Sequence, residues 1–268
     1  MASPVYSLCL YNPKLIMIID SHCHIDFEQF DNDRAQVIQR ASSANIQKII
    51  VPGVMKNTWQ RIKSCCHQFN SLYPCYGLHP YFVSQHQPQH LVDLKTWVDS
   101  NKPVAVGECG LDFYIKNLDV NLQTLYFEQQ LDIALEFNLP VVIHARKSTE
   151  AVIKTIKKRK GLRGMVHSYS GSYEQAIQLI QLGFYLSFGG PITYEKSTRL
   201  RKLVQQLPLE SILVETDAPD QPVANAANER NEPKYILNVI QSMADLHKTS
   251  FDSISNITAK NTTDLFNL

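Results

Sequence analysis

Residues 103–146, with the sequence PVAVGECGLDFYIKNLDVNLQTLYFEQQLDIALEFNLPVVIHAR, hold one complete strand–helix–strand unit. Its two outer parts, PVAVG (103–107) and LPVVI (139–143), are short β-branched runs typical of buried strands. Between them, NLQTLYFEQQLDIALEFN (121–138) has a broad apolar face at helical spacing. That face comprises Leu122, Leu125, Leu131, Ile133, Ala134 and Leu135. Two such strands joined by a helix predict a parallel βαβ unit.

The same alternation continues along the rest of the chain. Six further strands are predicted at LIMII (15–19), KIIVP (48–52), YPCYGL (73–78), RGMV (163–166), FYLSF (184–188) and SILVE (211–215). No GxGxxG or GxxxxGK[ST] turn follows a strand, which argues against an open nucleotide-binding sheet. The pattern therefore predicts an α/β fold, a (β/α)8 TIM barrel. Closing helices are predicted at 233–248 and 250–266.

Length and composition agree with one barrel domain. The chain has 268 residues, of which 44% are hydrophobic and 19% charged, and a (β/α)8 barrel needs roughly 250 residues. No stretch has the composition of a linker. We expect a single catalytic domain over residues 17–268. Residues 1–16 are predicted to be a poorly ordered N-terminal extension, with Met17 as an alternative start.

Charge and cysteine content limit the partners and the compartment. Lys and Arg number 26 against 25 Asp and Glu, a formal net charge of +1, so any binding of nucleic acid must be local. The six cysteines form no CxxC pair and indicate reduced thiols. No apolar run could span a bilayer, and no signal peptide is recognisable. We expect a cytoplasmic monomer without a membrane partner.

Metal-ligand side chains stand where the predicted strands give way to loops. His22 and His24 are two residues apart at the end of the first strand, so they project from one face of an extended segment. Similar positions after the fourth, fifth, sixth and eighth strands are held by Glu108, His144, His167 and Asp217. Because the carboxyl ends of barrel strands converge on one rim, the six side chains predict one metal site.

Four imidazoles and two carboxylates exceed the usual three protein ligands of one catalytic ion. The sequence therefore predicts two divalent ions, with Glu108 as the bridging carboxylate. Ions about 3.5–4 Å apart would share a hydroxide and lower the pKa of its parent water towards about 7. Imidazoles suit zinc, whereas carboxylates and phosphate chemistry also admit magnesium or manganese.

Three carboxylates are the candidate catalytic groups: Glu108, Glu215 and Asp217. Glu215 precedes Asp217 by two residues, so both side chains are expected on the same face of strand eight. Glu215 is either a proton acceptor, a ligand for a further ion, or a buried and hydrogen-bonded carboxylate of the barrel. Asp217 is predicted to bind one ion and to accept the proton of the attacking water.

Two arginines and three tyrosines lie after predicted strand ends on the same rim. Arg146 follows His144 by two residues and Arg230 lies in the loop after strand eight, so both are expected to contact phosphates. Tyr114, Tyr169 and Tyr81 are candidates for stacking on bases. Tyrosines in such loops more often pack internally, which is the alternative for each.

Seven motifs resemble, in order and spacing, those of the TatD-like metal-dependent DNases. They are DSHCHID (20–26), GLHPY (77–81), GECGLDFY (107–114), VIHAR (142–146), VHSYSGS (166–172), ETDAP (215–219) and RNEP (230–233). The stretch 189–222 is most similar to the YjjV branch. The loop DQPVANAANERNEP (220–233) departs from the pattern of the DNases proper.

The resemblance implies a TIM-barrel hydrolase related to the amidohydrolases, with metal contacts at the six residues named above. It also implies cleavage of DNA phosphodiesters, often from 3′ to 5′ on single strands. We therefore expect a deoxyribonuclease with DNA as its partner. Two alternatives stay open: a hydrolase of acyl esters, amides or aminoacyl-RNA linkages, and a metal-binding scaffold without turnover.

Overall fold

The structure is a computed structural model that describes residues 17–268. The predicted extension over residues 1–16 lies outside the described residues. The eight strands are β1 (Ile18–Asp20), β2 (Ile46–Pro52), β3 (Leu72–Tyr76), β4 (Ala105–Asp112), β5 (Val141–Arg146), β6 (Gly164–Val166), β7 (Phe184–Phe188) and β8 (Ile212–Val214). Each pairs in parallel with the next, in the order β1 to β8.

Helices connect successive strands, as the alternation in the sequence predicts. They are α1 (Arg34–Ser43), α2 (Trp59–Gln68), α3 (Pro88–Asn101), α4 (Val120–Glu136), α5 (Thr149–Ile156), α6 (Tyr173–Gln181), α7 (Thr198–Gln206), α8 (Ile236–His247) and α9 (Phe251–Phe266). The two predicted closing helices correspond to α8 and α9. None of the helices within residues 17–268 is long and apolar enough to cross a membrane.

The sheet curls until its last strand meets its first. The backbone N–H of Ser21, directly after β1, donates to the carbonyl oxygen of Val214 in β8 at 3.1 Å. The Ser21 hydroxyl donates to the same oxygen at 2.9 Å. Asp20 accepts hydrogen bonds from the backbone and hydroxyl of Thr216, which adds a second link across this seam. The fold is the predicted (β/α)8 barrel.

Alternation along the strands separates two apolar cores. Ile49 and Val51 belong to the outer core, which packs against the helices, while Ile50 between them belongs to an inner one. This follows because neighbouring strand residues face opposite sides. The inner core comprises Ile50, Cys75, Ala105, Val142, Met165 and Leu213, completed by Leu265 and Phe266 of α9. His144 follows Val142 by two residues and therefore points into the barrel.

The buried stripe of α4 differs in part from the predicted face. Phe127, Leu131 and Ala134 are fully buried, as a helical stripe at these spacings requires. Leu125 is 50% exposed. Leu125 lies outside the stripe that faces the barrel, so its inclusion in the predicted apolar face is wrong.

Candidate metal centre

An irregular stretch of β4 brings Glu108 into the barrel. Between Val106 and Cys109, β4 has one residue more than β5, which is a β-bulge that re-aims the side chains. The flanking Gly107 and Gly110 have φ values of +148° and +141°, which side chains disfavour. A Cβ at Gly110 would lie 2.0 Å from the His144 carbonyl oxygen. Glu108 thus lies within β4, which continues to Asp112, and not at a strand end as predicted.

Four side-chain atoms form a first donor group: His22 Nε2, His24 Nε2, Glu108 Oε2 and Asp217 Oδ1. His22 Nε2 lies 3.2 Å from His24 Nε2, 3.3 Å from the Glu108 oxygen and 3.4 Å from the Asp217 oxygen. His24 Nε2 lies 3.5 and 3.6 Å from the same two oxygens. A tetrahedral site with bonds of about 2.0–2.2 Å separates its ligand atoms by about 3.3–3.6 Å. The group therefore fits one metal ion.

The other oxygen of Glu108 faces a second donor group. Glu108 Oε1 lies 2.9 Å from His167 Nε2, 3.2 Å from His144 Nδ1 and 3.0 Å from His79 Nε2. The nitrogens of His144 and His167 are 3.3 Å apart. One carboxylate thus faces two groups of imidazoles through its two oxygens, which is the arrangement expected of a bridging ligand.

The hydrogen bonding around Glu108 fits a cation better than a proton network. Among the described residues, Glu108 Oε1 is a buried oxygen without a hydrogen-bond partner, although three imidazole nitrogens lie within 3.2 Å of it. The nitrogens that converge on Glu108 in the two groups include His22 Nε2, His24 Nε2, His167 Nε2 and His144 Nδ1. His22 and His24 approach each other through Nε2 at 3.2 Å, and His144 and His167 approach at 3.3 Å, so in each pair at least one nitrogen presents a lone pair, which is what a metal ion requires.

Burial and mutual charge shift the pKa values in this cluster. Burial alone would raise the pKa of Glu108, but His167, His79 and His22 outweigh it and hold the pKa well below its ordinary value. Burial lowers the pKa of His79 to about 4, so this imidazole is neutral. Burial also favours the neutral form of His24, but Glu108 outweighs it and raises the pKa of His24 to about 9. The Glu108 carboxylate thus attracts positive charge, which a metal can supply.

The six predicted ligands come together, and two further residues belong to the same cluster. His79 follows β3 within GLHPY, and its position just after a strand, shared with other ligands of the cluster, is a signal in the sequence that points to it. Asp112 ends β4, and its Oδ2 lies 3.1 Å from His144 Nε2. Because a carboxylate only accepts, His144 donates from Nε2 and its Nδ1 keeps a lone pair directed at the second group.

Glu215 takes the alternative of a buried, hydrogen-bonded carboxylate. The backbone N–H of Ser168 donates to its Oε1 at 2.7 Å and the Ser187 hydroxyl donates to its Oε2 at 2.5 Å. Its Oε1 is 3.7 Å from His167 Nδ1, behind the ring. The regular strand geometry on which the shared face of Glu215 and Asp217 was predicted does not extend to these residues, because β8 ends at Val214 and Asp217 has a left-handed φ of 55°.

A cavity of about 560 Å³ opens above the two donor groups. Its wall includes His24, His79, Glu108, His144, His167 and Asp217, together with Tyr81, Phe82, Arg146, Asp220 and Gln221. Arg146 and Tyr81 therefore lie where the sequence predicted substrate contacts. Tyr114 lies beside the cavity with its ring under the Arg146 guanidinium, 3.9 Å from it.

Arg230 does not line this cavity, contrary to its predicted phosphate contact. Its guanidinium forms two hydrogen bonds with Asp33, at 2.8 and 2.7 Å, and one with Glu232 at 3.2 Å. It also lies 4.5 Å above the Phe30 ring. Because its guanidinium is paired with two acidic side chains, Arg230 fixes the loop after β8.

Tyr169 is also placed differently from its predicted role in base stacking. Its ring is 2% exposed and packs edge-on against Phe188. Its hydroxyl donates to the Ser172 carbonyl oxygen at 2.7 Å. A ring buried on both faces offers no platform to a base, so Tyr169 packs internally.

The model of the TatD related DNases matches residues 19–267. This chain belongs to the TatD DNase family. YjjV of Escherichia coli K12 is 35% identical over 253 residues, covering 93% of this chain and 98% of YjjV. YabD of Bacillus subtilis is 33% identical over 254 residues, covering 94% of this chain and all of YabD. Both are described as uncharacterized metal-dependent hydrolases.

The fold of this TatD-family chain also matches a solved relative. The crystal structure of YjjV, a TatD homologue of Escherichia coli, superposes with a TM-score of 0.91 at 33% identity. The match covers 95% of this chain and 99% of that chain. The predicted resemblance to the family and to YjjV is confirmed.

The RNEP motif of the TatD family carries no proposed metal ligand and fixes the loop that follows ETDAP. The side-chain amide of Asn231 donates to the carbonyl oxygens of Thr216 at 2.8 Å and Asp220 at 2.7 Å. That loop holds Asp217 against the barrel seam, because the Asp217 backbone N–H donates to the carbonyl oxygen of His22 at 2.9 Å.

Proposed function

We propose that this chain hydrolyses DNA phosphodiesters with two divalent metal ions held by the two donor groups. The observation that carries the proposal is Glu108, whose two oxygens face the two groups separately. Membership of the TatD family and the description of YjjV and YabD as metal-dependent hydrolases support it.

His22, His24 and Asp217 would hold one ion, and His144 and His167 the other, with Glu108 between them. The imidazoles favour zinc, and the carboxylates also admit magnesium or manganese. When bound, the ions supply positive charge that activates water and neutralises the phosphate. His79 lies beside the second group and is neutral. Because its Nδ1 accepts from the Tyr81 backbone N–H, its proton is on Nε2, which can donate to a substrate oxygen.

Asp217 is the group we assign to the proton of the attacking water. It lines the cavity, and its Oδ1 belongs to the first donor group while its Oδ2 accepts from Gln221. Its carboxylate is therefore both oriented and within reach of the reacting centre. Glu215 lies behind His167 and positions the Ser168 turn, so we give it no proton in the reaction.

Arg146 supplies the positive charge for substrate phosphates. Within the described part of the chain, it is the one lysine or arginine that lines the cavity. A guanidinium donates to phosphate through several N–H groups at once. The cavity has the volume of a small-molecule pocket, which suits the end of a single strand better than a duplex. This supports exonuclease action, which we propose runs from the 3′ end.

The test uses purified full-length protein freed of metal with a chelator and reloaded with zinc, manganese or magnesium. The substrates are 5′-labelled single-stranded DNA, bis(p-nitrophenyl) phosphate, p-nitrophenyl acetate and an aminoacyl-RNA. We expect metal-dependent shortening of the DNA from its 3′ end. Asp217→Asn protein prepared in parallel controls for contaminating nuclease.

Three results would contradict the proposal in different ways. Turnover of the acyl ester or the aminoacyl-RNA without DNA cleavage would assign the site to acyl transfer. Bound metal without turnover of any substrate would make the chain a metal-binding scaffold. Cleavage of DNA at an undiminished rate in the Asp217→Asn control would come from a contaminant.

A further inference from the structure

The Arg146 guanidinium lies over the exposed ring of Tyr114 at the edge of the cavity. The guanidinium carbon is 3.9 Å from the ring centre, and Tyr114 is 56% exposed. Over residues 17–268, Arg146 forms no ion pair with an acidic side chain, whereas Arg230 has two such partners. The aromatic ring therefore holds this guanidinium without neutralising it.

The backbone beneath this pair is fixed by Asp112. In the register of β4 and β5, Asp112 lies opposite Arg146, and the next residue, Phe113, donates its N–H to the Arg146 carbonyl oxygen at 2.8 Å. Asp112 Oδ1 accepts from the backbone N–H of Tyr114 at 2.9 Å and of Ile115 at 3.3 Å. The turn that presents Tyr114 is thereby tied to the strand that presents Arg146.

The same carboxylate connects the pair to the metal centre. Asp112 Oδ2 lies 3.1 Å from His144 Nε2, and His144 belongs to the second donor group. Asp112 therefore sets the positions of Tyr114 and His144 together. The guanidinium above Tyr114 has a fixed relation to the place where a phosphodiester would be cleaved.

A guanidinium stacked on a ring keeps its N–H groups free along the edge of its plane. The edge of Arg146 can then donate to a phosphate, while one face of Tyr114 is covered and lost to a base. Arg146 lines the same cavity as the donor groups but belongs to neither of them, so it can serve a phosphate beside the one at the metal centre.

We propose that Tyr114 is a positioning residue that holds Arg146 for the phosphate neighbouring the scissile one, so that the site prefers polynucleotides to isolated phosphodiesters. This inference rests on the proposed phosphodiesterase function. It assigns to Tyr114 a role in substrate selection that acts through Arg146.

The experiment compares two single-stranded oligonucleotides that differ in one linkage. In the second, the phosphate next to the scissile linkage is replaced by a neutral methylphosphonate. Metal-loaded wild type, Tyr114→Leu, Tyr114→Phe, Arg146→Gln and the double variant Tyr114→Leu/Arg146→Gln are assayed on both. Tyr173→Leu changes another partly exposed tyrosine outside the cavity and serves as the matched control.

We expect the wild type to have a KM roughly 10–100-fold lower for the charged oligonucleotide, the effect of a hydrogen bond between charged groups. Tyr114→Leu should reduce this ratio by about 2–30-fold, the range of a lost cation–π contact. Tyr114→Phe should retain the ratio because it keeps the ring. In the Arg146→Gln background the two KM values should become equal, and adding Tyr114→Leu should not change their ratio further.

A base-stacking role for Tyr114 would give a different result. Tyr114→Leu would then weaken both oligonucleotides equally, and the loss would persist in the Arg146→Gln background. That outcome, or equal wild-type KM values for the two oligonucleotides, overturns the inference without contradicting the proposed phosphodiesterase function. If metal-loaded wild type cleaves neither oligonucleotide nor bis(p-nitrophenyl) phosphate, the proposed function itself fails.

Discussion

Gln221 donates a hydrogen bond from its Nε2 to Oδ2 of Asp217 at 2.5 Å. The Gln221 amide is itself held, because its Oε1 accepts from the Ser168 hydroxyl at 3.0 Å. The other Asp217 oxygen belongs to the first donor group. The carboxylate proposed to accept the proton is therefore oriented by a residue from the loop that departs from the family pattern.

Replacing Gln221 with Leu should lower kcat about tenfold at unchanged metal content. The reason is that a hydrogen bond to a charged group contributes about 1.5–3 kcal/mol, and Asp217 would lose its fixed orientation. Steady-state kinetics and metal analysis of the same preparation measure the two quantities. An unaltered kcat would show that Asp217 needs no such support.

Asp217→Asn should lose about 10²–10⁴-fold in kcat, the usual contribution of a positioned proton acceptor. It should keep at least one ion, since the amide oxygen can still coordinate and His22 and His24 remain. Metal analysis alongside the kinetics separates loss of the base from loss of the ion.

Glu215→Gln should be milder in turnover and should lower the melting temperature instead. The buried Glu215 carboxylate accepts from Ser168 and Ser187, and a buried donor left unsatisfied costs about 1–3 kcal/mol. Thermal unfolding and kcat are compared in the two variants at the same metal content. A larger loss of turnover in Glu215→Gln would transfer the role of base to Glu215.

Glu108→Ala should lose more activity than either His22→Ala or His144→Ala. Glu108 faces both donor groups, while His22 belongs to the first and His144 to the second. The three variants are assayed in excess metal after a check of folding by circular dichroism. Near-normal turnover of Glu108→Ala would reject a bridging carboxylate.

Arg230→Ala should destabilise the protein by about 1 kcal/mol without raising the KM for DNA. The Arg230 hydrogen bond lowers the pKa of Asp33, and Arg40 and Arg230 together lower the pKa of Glu232 despite its burial. Networked but half-exposed ion pairs are worth about that much. Urea unfolding of chelator-treated protein measures the loss.

The same variant has a predictable dependence on pH. A carboxylate whose pKa is lowered on folding stabilises the fold above its ordinary pKa, 3.8 for Asp33 and 4.5 for Glu232. The difference between wild type and Arg230→Ala should therefore be full above pH 4.5 and shrink as the pH falls. A difference that grows in acid would show that Arg230 acts otherwise.

Much of the metal centre was predictable from the sequence because its logic is local. Each strand is a short apolar run, in most cases buried on both faces, and each ligand follows or continues such a run, as His22, His144 and His167 do. A parallel barrel places all these ends on one rim. Hence the ligand set could be read from strand positions without knowledge of any contact.

The partners of side chains were decided only by the tertiary structure. Arg230 and Asp33 are 197 residues apart in sequence, and Ser168 and Glu215 are 47 apart. Whether a cation meets a phosphate or a carboxylate depends on which distant loop packs beside it, and periodicity carries no such information. The same holds for Tyr114. From the sequence its ring is a candidate for base stacking, but the pairing of β4 with β5 places Arg146 over one face of it.

The sequence alone thus determined the barrel and the residue types on its rim, since both depend on spacing along single strands. The sequence predicted Glu108 as the bridging carboxylate, but only the tertiary structure decided how it reaches both groups, through the bulge in β4 and the close approach of Gly110 to His144. The tertiary structure also decided that Glu215 is buried behind His167, because Ser168 and Ser187 of the neighbouring segments donate to its two oxygens. These outcomes depend on backbone geometry between neighbouring strands, which no single strand encodes.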